Sequence, residues 1–203
     1  MSAGVESVVF PEHFGFCEGV AAADQLVTMV SDEARAAGIE TVYGLHDIVH
    51  NRDVTNFHAL RGVIFVEDVS EIPPNQLVVT SAHGTSPEVQ WKLEQIGSTT
   101  FDAACPLVLA THKSARRARR NGESLLYICH GKPGEVDKLH DEVEGMVGHL
   151  DFIKNPDRVE YFPVHRRYLE LGEPPTTDLL DASGMYRIVS QTTLQSSKVL
   201  AYR

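Results

Sequence analysis

Three cysteines and a small set of histidines and acids carry the chemistry that this 203-residue sequence can offer. Cys17 and Cys105 each stand where a helix is expected to begin; Gly15 and Gly19 flank the first, and Pro106 follows the second. A helix N-terminus presents free N–H groups and positive dipole potential, which lowers a thiol pKa and favours the thiolate. Thiolates are the soft ligands that zinc and iron–sulfur clusters need. The same two positions also suit small buried hydrophobes, and position alone leaves both readings open. Cys129 ends an apolar strand and is read as a core thiol. The sequence holds no Cys-x-x-Cys pair, and three cysteines are an odd number, so thiols or metal ligands are expected rather than a disulfide framework.

His50, within His46–Asp47–Ile48–Val49–His50–Asn51, and His83, within Ser81–Ala82–His83–Gly84–Thr85–Ser86, are flanked by small or polar groups. Imidazoles hold phosphate or shuttle protons near neutral pH, although a lone histidine is more often structural. His46 and His50 would present two nitrogens to zinc if they lay on one helix, but Gly44 and the Ile48–Val49 pair argue against a helix there. Ser86 before Pro87 is a helix cap whose amides form an anion site. His140–Asp141–Glu142 opens a further helix and offers proton donors; the alternative is an ordinary solvated acidic run with Asp137 and Glu144. Gln191–Thr192–Thr193 adds amide and hydroxyl groups after the last strand.

Elements that position these residues alternate along the chain. Strands are expected at 5–10, 41–43, 63–66, 77–80, 99–101, 125–129 and 186–190, and helices at 18–37, 54–60, 87–96, 106–120 and 139–147. In the first helix Val20, Ala23, Val27, Val30, Ala34 and Ala37 recur at three- and four-residue steps, and Gly38 stops it. Such alternation predicts an α/β protein of two similar domains, residues 1–104 and 105–203, each with a mainly parallel sheet flanked by helices. Ligands of open parallel sheets bind beyond the carboxyl ends of the strands, where Cys17, His50, His83 and Cys105 are all expected.

Composition narrows the functions further. Asp and Glu outnumber Lys and Arg by 28 to 18, and the resulting charge of −10 disfavours a phosphate-tracking nucleic-acid surface, the short Arg116–Arg120 cluster notwithstanding. The longest strand-like apolar run, residues 125–129, falls far short of the ~18–20 residues of a membrane span, and residues 1–10 carry no signal-peptide pattern. A cytoplasmic protein that engages neither membrane nor nucleic acid is expected.

Five ordered motifs resemble one family. Phe14–Gly15–Phe16–Cys17–Glu18–Gly19–Val20, residues 46–52, Ser81–Ala82–His83–Gly84, Asp102–Ala103–Ala104–Cys105–Pro106–Leu107–Val108 and Ser190–Gln191–Thr192–Thr193–Leu194 together are similar to 4-hydroxy-3-methylbut-2-enyl diphosphate reductase, the LytB/IspH family. The resemblance implies a 4Fe–4S oxidoreductase that removes an allylic hydroxyl with electrons and protons in the methylerythritol phosphate route of isoprenoid biosynthesis. It implies Cys17 and Cys105 as cluster ligands, His50 and His83 as diphosphate ligands, and Thr192 beside the substrate hydroxyl. The family's H-x-E-V-E-G-x-x-G signature matches His140 to Gly148, which makes His140 a substrate ligand and Glu142 the proton donor. That match needs an insertion at residues 131–139; an ungapped match would use Glu135, with Pro133 at the histidine position, and recovers less of the motif.

Members of that family are built from three similar α/β domains, each supplying one cysteine. The third cysteine and the family's Ser-x-Asn motif have no counterpart in these residues, and Cys129 does not match the third position. The expected partners are therefore the small allylic diphosphate, an electron-donor protein such as ferredoxin or flavodoxin, and a second subunit or a homo-oligomer that completes the site. Two competing readings are a cluster-free relative that binds a phosphorylated ligand or serves as an accessory subunit, and a mononuclear zinc hydrolase using Cys and His ligands.

Overall fold

A computed structural model describes residues 15–49, 51–129, 159–163 and 186–190. In chain order the elements are α1 (Glu18–Ala36), β1 (Val42–Leu45), α2 (Arg52–Ala59), β2 (Val63–Val66), a 3₁₀ turn over Val69–Glu71, β3 (Leu77–Val79), α3 (Pro87–Gln95), β4 (Thr99–Phe101), α4 (Pro106–Asn121), β5 (Ser124–Cys129), β6 (Val159–Pro163) and β7 (Tyr186–Ser190). The expected strand at 5–10 and helix at 139–147 lie outside the described residues, as do His50, His140, Glu142 and Thr192.

Every ladder between these strands is parallel. The first sheet has the order β2-β1-β3-β4, with Val42 opposite Val63 and Tyr43 opposite Val78; the second has the order β6-β5-β7. The central strands β1 and β3 are largely buried on both faces, as parallel strands between helical layers are, and Val and Leu predominate in them. On one face Val42, Val63 and Val79 pack with Ala23, Val27, Val30 and Ala34 of α1 and with Val54 of α2. On the other, Leu45, Val66 and Val78 pack with Leu93 of α3 and with Val69 and Ile72 around the 3₁₀ turn. Adjacent residues Val78 and Val79 thus serve opposite layers, as the two-residue period of a strand requires.

Local signals fix most of the boundaries. Ala23, Val27, Val30 and Ala34 of the α1 stripe are buried as their spacing predicts, Val20 is half-buried, and Ala37 is the exposed C-cap and belongs to the turn. Gly38 then takes a φ of 78°, its N–H bonds to Arg35 O, and the Ile39 N–H bonds to Ala34 O, the paired bonds of a Schellman stop. α2 begins two residues earlier than its apolar pattern suggests, because the Asn51 side chain accepts from the Asp53 N–H and caps the helix. β1 runs to Leu45 rather than ending at Tyr43. α4 packs against β5 and β7 of the second sheet. Its end is tied to β7 by a bidentate pair, in which Arg187 Nε and Nη2 donate to Glu123 at 2.6 and 2.9 Å.

The strand order places a topological switch point between β1 and β3. From β1 the chain crosses through α2 to β2 on one side. It then returns to β3 on the other side of β1 and continues through α3 to β4. The loops leaving β1 and β3 therefore diverge to opposite layers, opening a crevice at their carboxyl ends, where ligands of open α/β sheets bind.

Candidate functional site

Three strand-end loops meet at that crevice and are stitched together through their main chains. The Ala82 N–H donates to Ile48 O at 3.1 Å, joining the β3 loop to the β1 loop. The Cys105 N–H donates to Ala82 O at 2.9 Å, joining the β4 loop to the same residue. Ala82 thus fixes the segment that leads into His50 on one side and Cys105 on the other.

The Cys105 loop has its own scaffold. Asp102 Oδ1 accepts from the Ala104 N–H at 3.0 Å and from Thr80 Oγ1 at 3.1 Å, closing a side-chain turn over residues 102–104. The same Thr80 hydroxyl oxygen accepts from the Ala103 N–H at 3.4 Å. Cys105 O then accepts from the Leu109 N–H, the first bond of α4, so Cys105 occupies the N-cap and Pro106 the first helical position. Cys17 is likewise the N-cap of α1, with extended backbone and no capping bond from its side chain.

The two cysteines share one helix start. A methyl group placed on Gly19, in the first turn of α1, would lie 2.5 Å from Cys105 Sγ, so the sulfur rests directly against the turn that Cys17 begins. Neither thiol is in a disulfide; Cys17 is exposed and Cys105 half-buried. The first N–H groups of a helix lack helical acceptors and point out of its start. Two reduced, solvent-reaching soft donors at one helix start fit the edge of an iron–sulfur cluster. Among the described residues no three His, Cys, Asp or Glu side chains cluster closely enough to hold a metal.

His83 sits in the turn that follows β3. Its N–H donates to Ser81 Oγ at 3.1 Å, and the Gly84 N–H donates to Ser81 O at 3.1 Å, so Ser81 closes the turn. Gly84 has a φ of 82° and lies on α4: a methyl group there would be 2.7 Å from His112 Cε1 and 3.0 Å from Val108 Cγ1. α4 therefore carries Cys105 at its start and supports the His83 turn one helical face further along. The expected cap at Ser86 is present, with Ser86 Oγ accepting from the Val89 N–H at 3.2 Å ahead of Pro87, and this uses one of the amides an anion would take.

As Gly44 and the Ile48–Val49 pair suggest, residues 46–49 are not helical: His46 has a φ of 61°, and its Nδ1 lies 3.3 Å from Glu67 Oε2. Thr80, Val108 and the buried His112 are site-supporting residues that periodicity does not single out. The signal for Val108 and His112 lay in Gly84, whose missing side chain marks their close approach.

The fold is that of a parallel α/β protein, with a thiol pair and a histidine turn near the carboxyl ends of its strands. The sequence matches the LytB protein family over residues 8–202, and the chain belongs to that family. It is 34% identical over 189 residues to the 4-hydroxy-3-methylbut-2-enyl diphosphate reductase of Zymomonas mobilis subsp. mobilis, covering 92% of this chain and 48% of that one. The Methylococcus capsulatus protein of the same name is 31% identical over 189 residues, covering 93% of this chain and 58% of the relative. The chain thus spans about half the length of the curated relatives it matches. Two solved structures share the fold. The Plasmodium falciparum E-1-hydroxy-2-methyl-but-2-enyl-4-diphosphate reductase aligns with a TM-score of 0.73 at 23% identity, over 93% of this chain and 52% of that one. A (E)-4-hydroxy-3-methyl-but-2-enyl diphosphate reductase aligns with a TM-score of 0.67 at 26% identity, over 96% and 61%. Among the described residues no helix is long and apolar enough to cross a membrane.

Proposed function

We propose that this chain serves as an iron–sulfur reductase of the LytB type, acting on 4-hydroxy-3-methylbut-2-enyl diphosphate in isoprenoid precursor synthesis. The observation that carries the proposal is the convergence of Cys17 and Cys105 on the first turn of α1, in a chain that belongs to this family. Cys17 and Cys105 would hold a 4Fe–4S cluster as two of its protein ligands. When bound, such a cluster supplies the electron transfer that a reductive loss of hydroxyl requires. The net reaction takes up two electrons and two protons, breaks the allylic C–O bond and releases the oxygen as water.

The protein's own residues bind and protonate. His50, His83 and His140 donate N–H bonds to the diphosphate oxygens, and Ser81 and α4 hold the His83 turn in position. Thr192 orients the substrate hydroxyl, and Glu142 delivers the proton that makes this hydroxyl a leaving group. A ferredoxin or flavodoxin is the electron donor in this reading, the compartment is the cytoplasm, and the division at residues 104/105 separates two similar domains.

The test is reconstitution with iron and sulfide, followed by turnover of the allylic diphosphate with a chemical reductant. Isopentenyl and dimethylallyl diphosphate are the expected products. Cys17→Ser and Cys105→Ser should each lose most bound iron, and full iron in both would refute the ligand assignment. A protein that takes up no cluster yet binds inorganic pyrophosphate would instead establish the cluster-free reading.

A further inference from the structure

We infer that Gly19 is a positioning residue: its missing side chain lets the Cys105 sulfur rest on the first turn of α1, so that both candidate ligands act from one helix start. The inference rests on the proposed role of the two cysteines and adds a residue that holds them to it.

Gly19 lies inside α1, directly after Glu18, and is buried. Glycine within a helix is disfavoured relative to alanine, because it loses more backbone freedom on ordering. The usual compensation, a positive φ that other residues avoid, does not apply here: Gly19 is absent from the positive-φ glycines of the described chain. What requires glycine is space. An added methyl would meet Cys105 Sγ at 2.5 Å, Cys105 Cβ at 3.2 Å and Cys105 Cα at 3.8 Å, and these three nearest atoms all belong to one residue. The position is glycine on account of Cys105.

Cys105 has little freedom to answer a side chain at position 19. Its backbone is held by the bond to Ala82 O at 2.9 Å, by the first helical bond of α4 and by the Asp102 turn preceding it. Rotation of the sulfur about χ1 is the one inexpensive escape, and it carries Sγ off the α1 turn. A single methyl at position 19 therefore leaves the fold in place while separating the two thiols from their common surroundings.

Gly19→Ala tests this in the full chain. In the reduced, metal-free protein the ratio of iodoacetamide alkylation rates, Cys105 to Cys17, should change by about threefold or more, because sulfur reactivity follows its electrostatic surroundings. After identical reconstitution, bound iron should fall to less than half that of the unaltered protein. In a Cys105→Ala background the same Gly19→Ala substitution should be better tolerated, giving a melting temperature higher than the sum of the separate effects predicts. An unchanged alkylation ratio, or a Gly19→Ala effect on melting that is the same with and without the Cys105 sulfur, would overturn the inference. If Gly19→Ala fails to fold, the Gly19→Ala/Cys105→Ala double variant decides: folding supports the contact, and failure places the cause elsewhere. If the unaltered protein takes up no iron, the cluster reading falls, and the alkylation ratio and the melting comparison still decide the role of Gly19.

Discussion

Gly84→Ala measures how firmly the His83 turn is seated on α4. Gly84 combines a φ of 82° with two close neighbours, His112 Cε1 at 2.7 Å and Val108 Cγ1 at 3.0 Å from an added methyl. The left-handed backbone costs an alanine about 1–2 kcal/mol, and forcing a methyl into the packed seam adds about 1–3 kcal/mol. The sum is about 2–5 kcal/mol. Gly38 provides the internal control, with a φ of 78° and nothing within 4 Å of an added methyl, so Gly38→Ala bears only the backbone cost of about 1–2 kcal/mol. Urea unfolding of both variants, with melting temperatures alongside, isolates the packing contribution. For a chain of this size the additional loss corresponds to roughly 2–12 °C. Isothermal titration with inorganic pyrophosphate should show weakened binding in Gly84→Ala and unchanged binding in Gly38→Ala. Equal destabilisation by the two substitutions would refute the seating of the turn on His112 and Val108.

Three further outcomes are expected. Glu142→Gln should lower turnover by about 10²–10⁴ while leaving pyrophosphate affinity nearly intact, the range for one positioned acid; equal activity in steady-state assays would remove Glu142 from the proton-donor role. Asp24→Ala deprives the fully buried His58 of its 2.7 Å partner between α1 and α2, and should cost about 1–3 kcal/mol in denaturant unfolding; a neutral result would contradict the pairing. The Glu123 carboxyl is held below its ordinary value, first by the hydrogen bonds from Arg187 and then by that from Asn121. Its stabilising contribution is therefore complete above the unfolded-state carboxylate pKa and is lost as the pH falls through the lower folded-state value. Glu123→Gln should flatten that acid limb of the stability profile, and an unchanged limb would dismiss the Arg187 pair as its source.

Much of the scaffold was legible in the sequence because its signals are local. The α1 stripe, the Gly38 stop, Ser86–Pro87 and Cys105–Pro106 each specify a helix boundary within a few residues. Where the reading fell short, a tertiary contact decided. β1 continues through Gly44, a weak strand former, because the Phe65 ring covers that residue: an added methyl would sit 2.5 Å from Phe65 Cδ1. The 3₁₀ turn after β2 is held by a reciprocal Asp68–Glu71 capping box that apolar periodicity passes over.

The site divides in the same way. Cys17, His83 and Cys105 stood out by residue type and by their expected place after strands; the strand order brings the His83 and Cys105 loops together, and the Gly19 contact brings the Cys17 turn to Cys105. The family resemblance brings Cys17 and Cys105 to one cluster, but that the Cys105 sulfur rests on the first turn of α1 was not legible, because the spacing of two distant cysteines carries no distance information. Gly19 held that information, but only as an absent side chain.

The most direct test of the account is the metal content of the anaerobically purified and reconstituted protein, measured with its visible absorption. The account predicts a brown protein with a broad visible band and with bound iron and sulfide in equal amounts, both lost in Cys17→Ser and Cys105→Ser. A folded, colourless chain that takes up neither iron nor sulfide, or one that holds stoichiometric zinc instead, would contradict it.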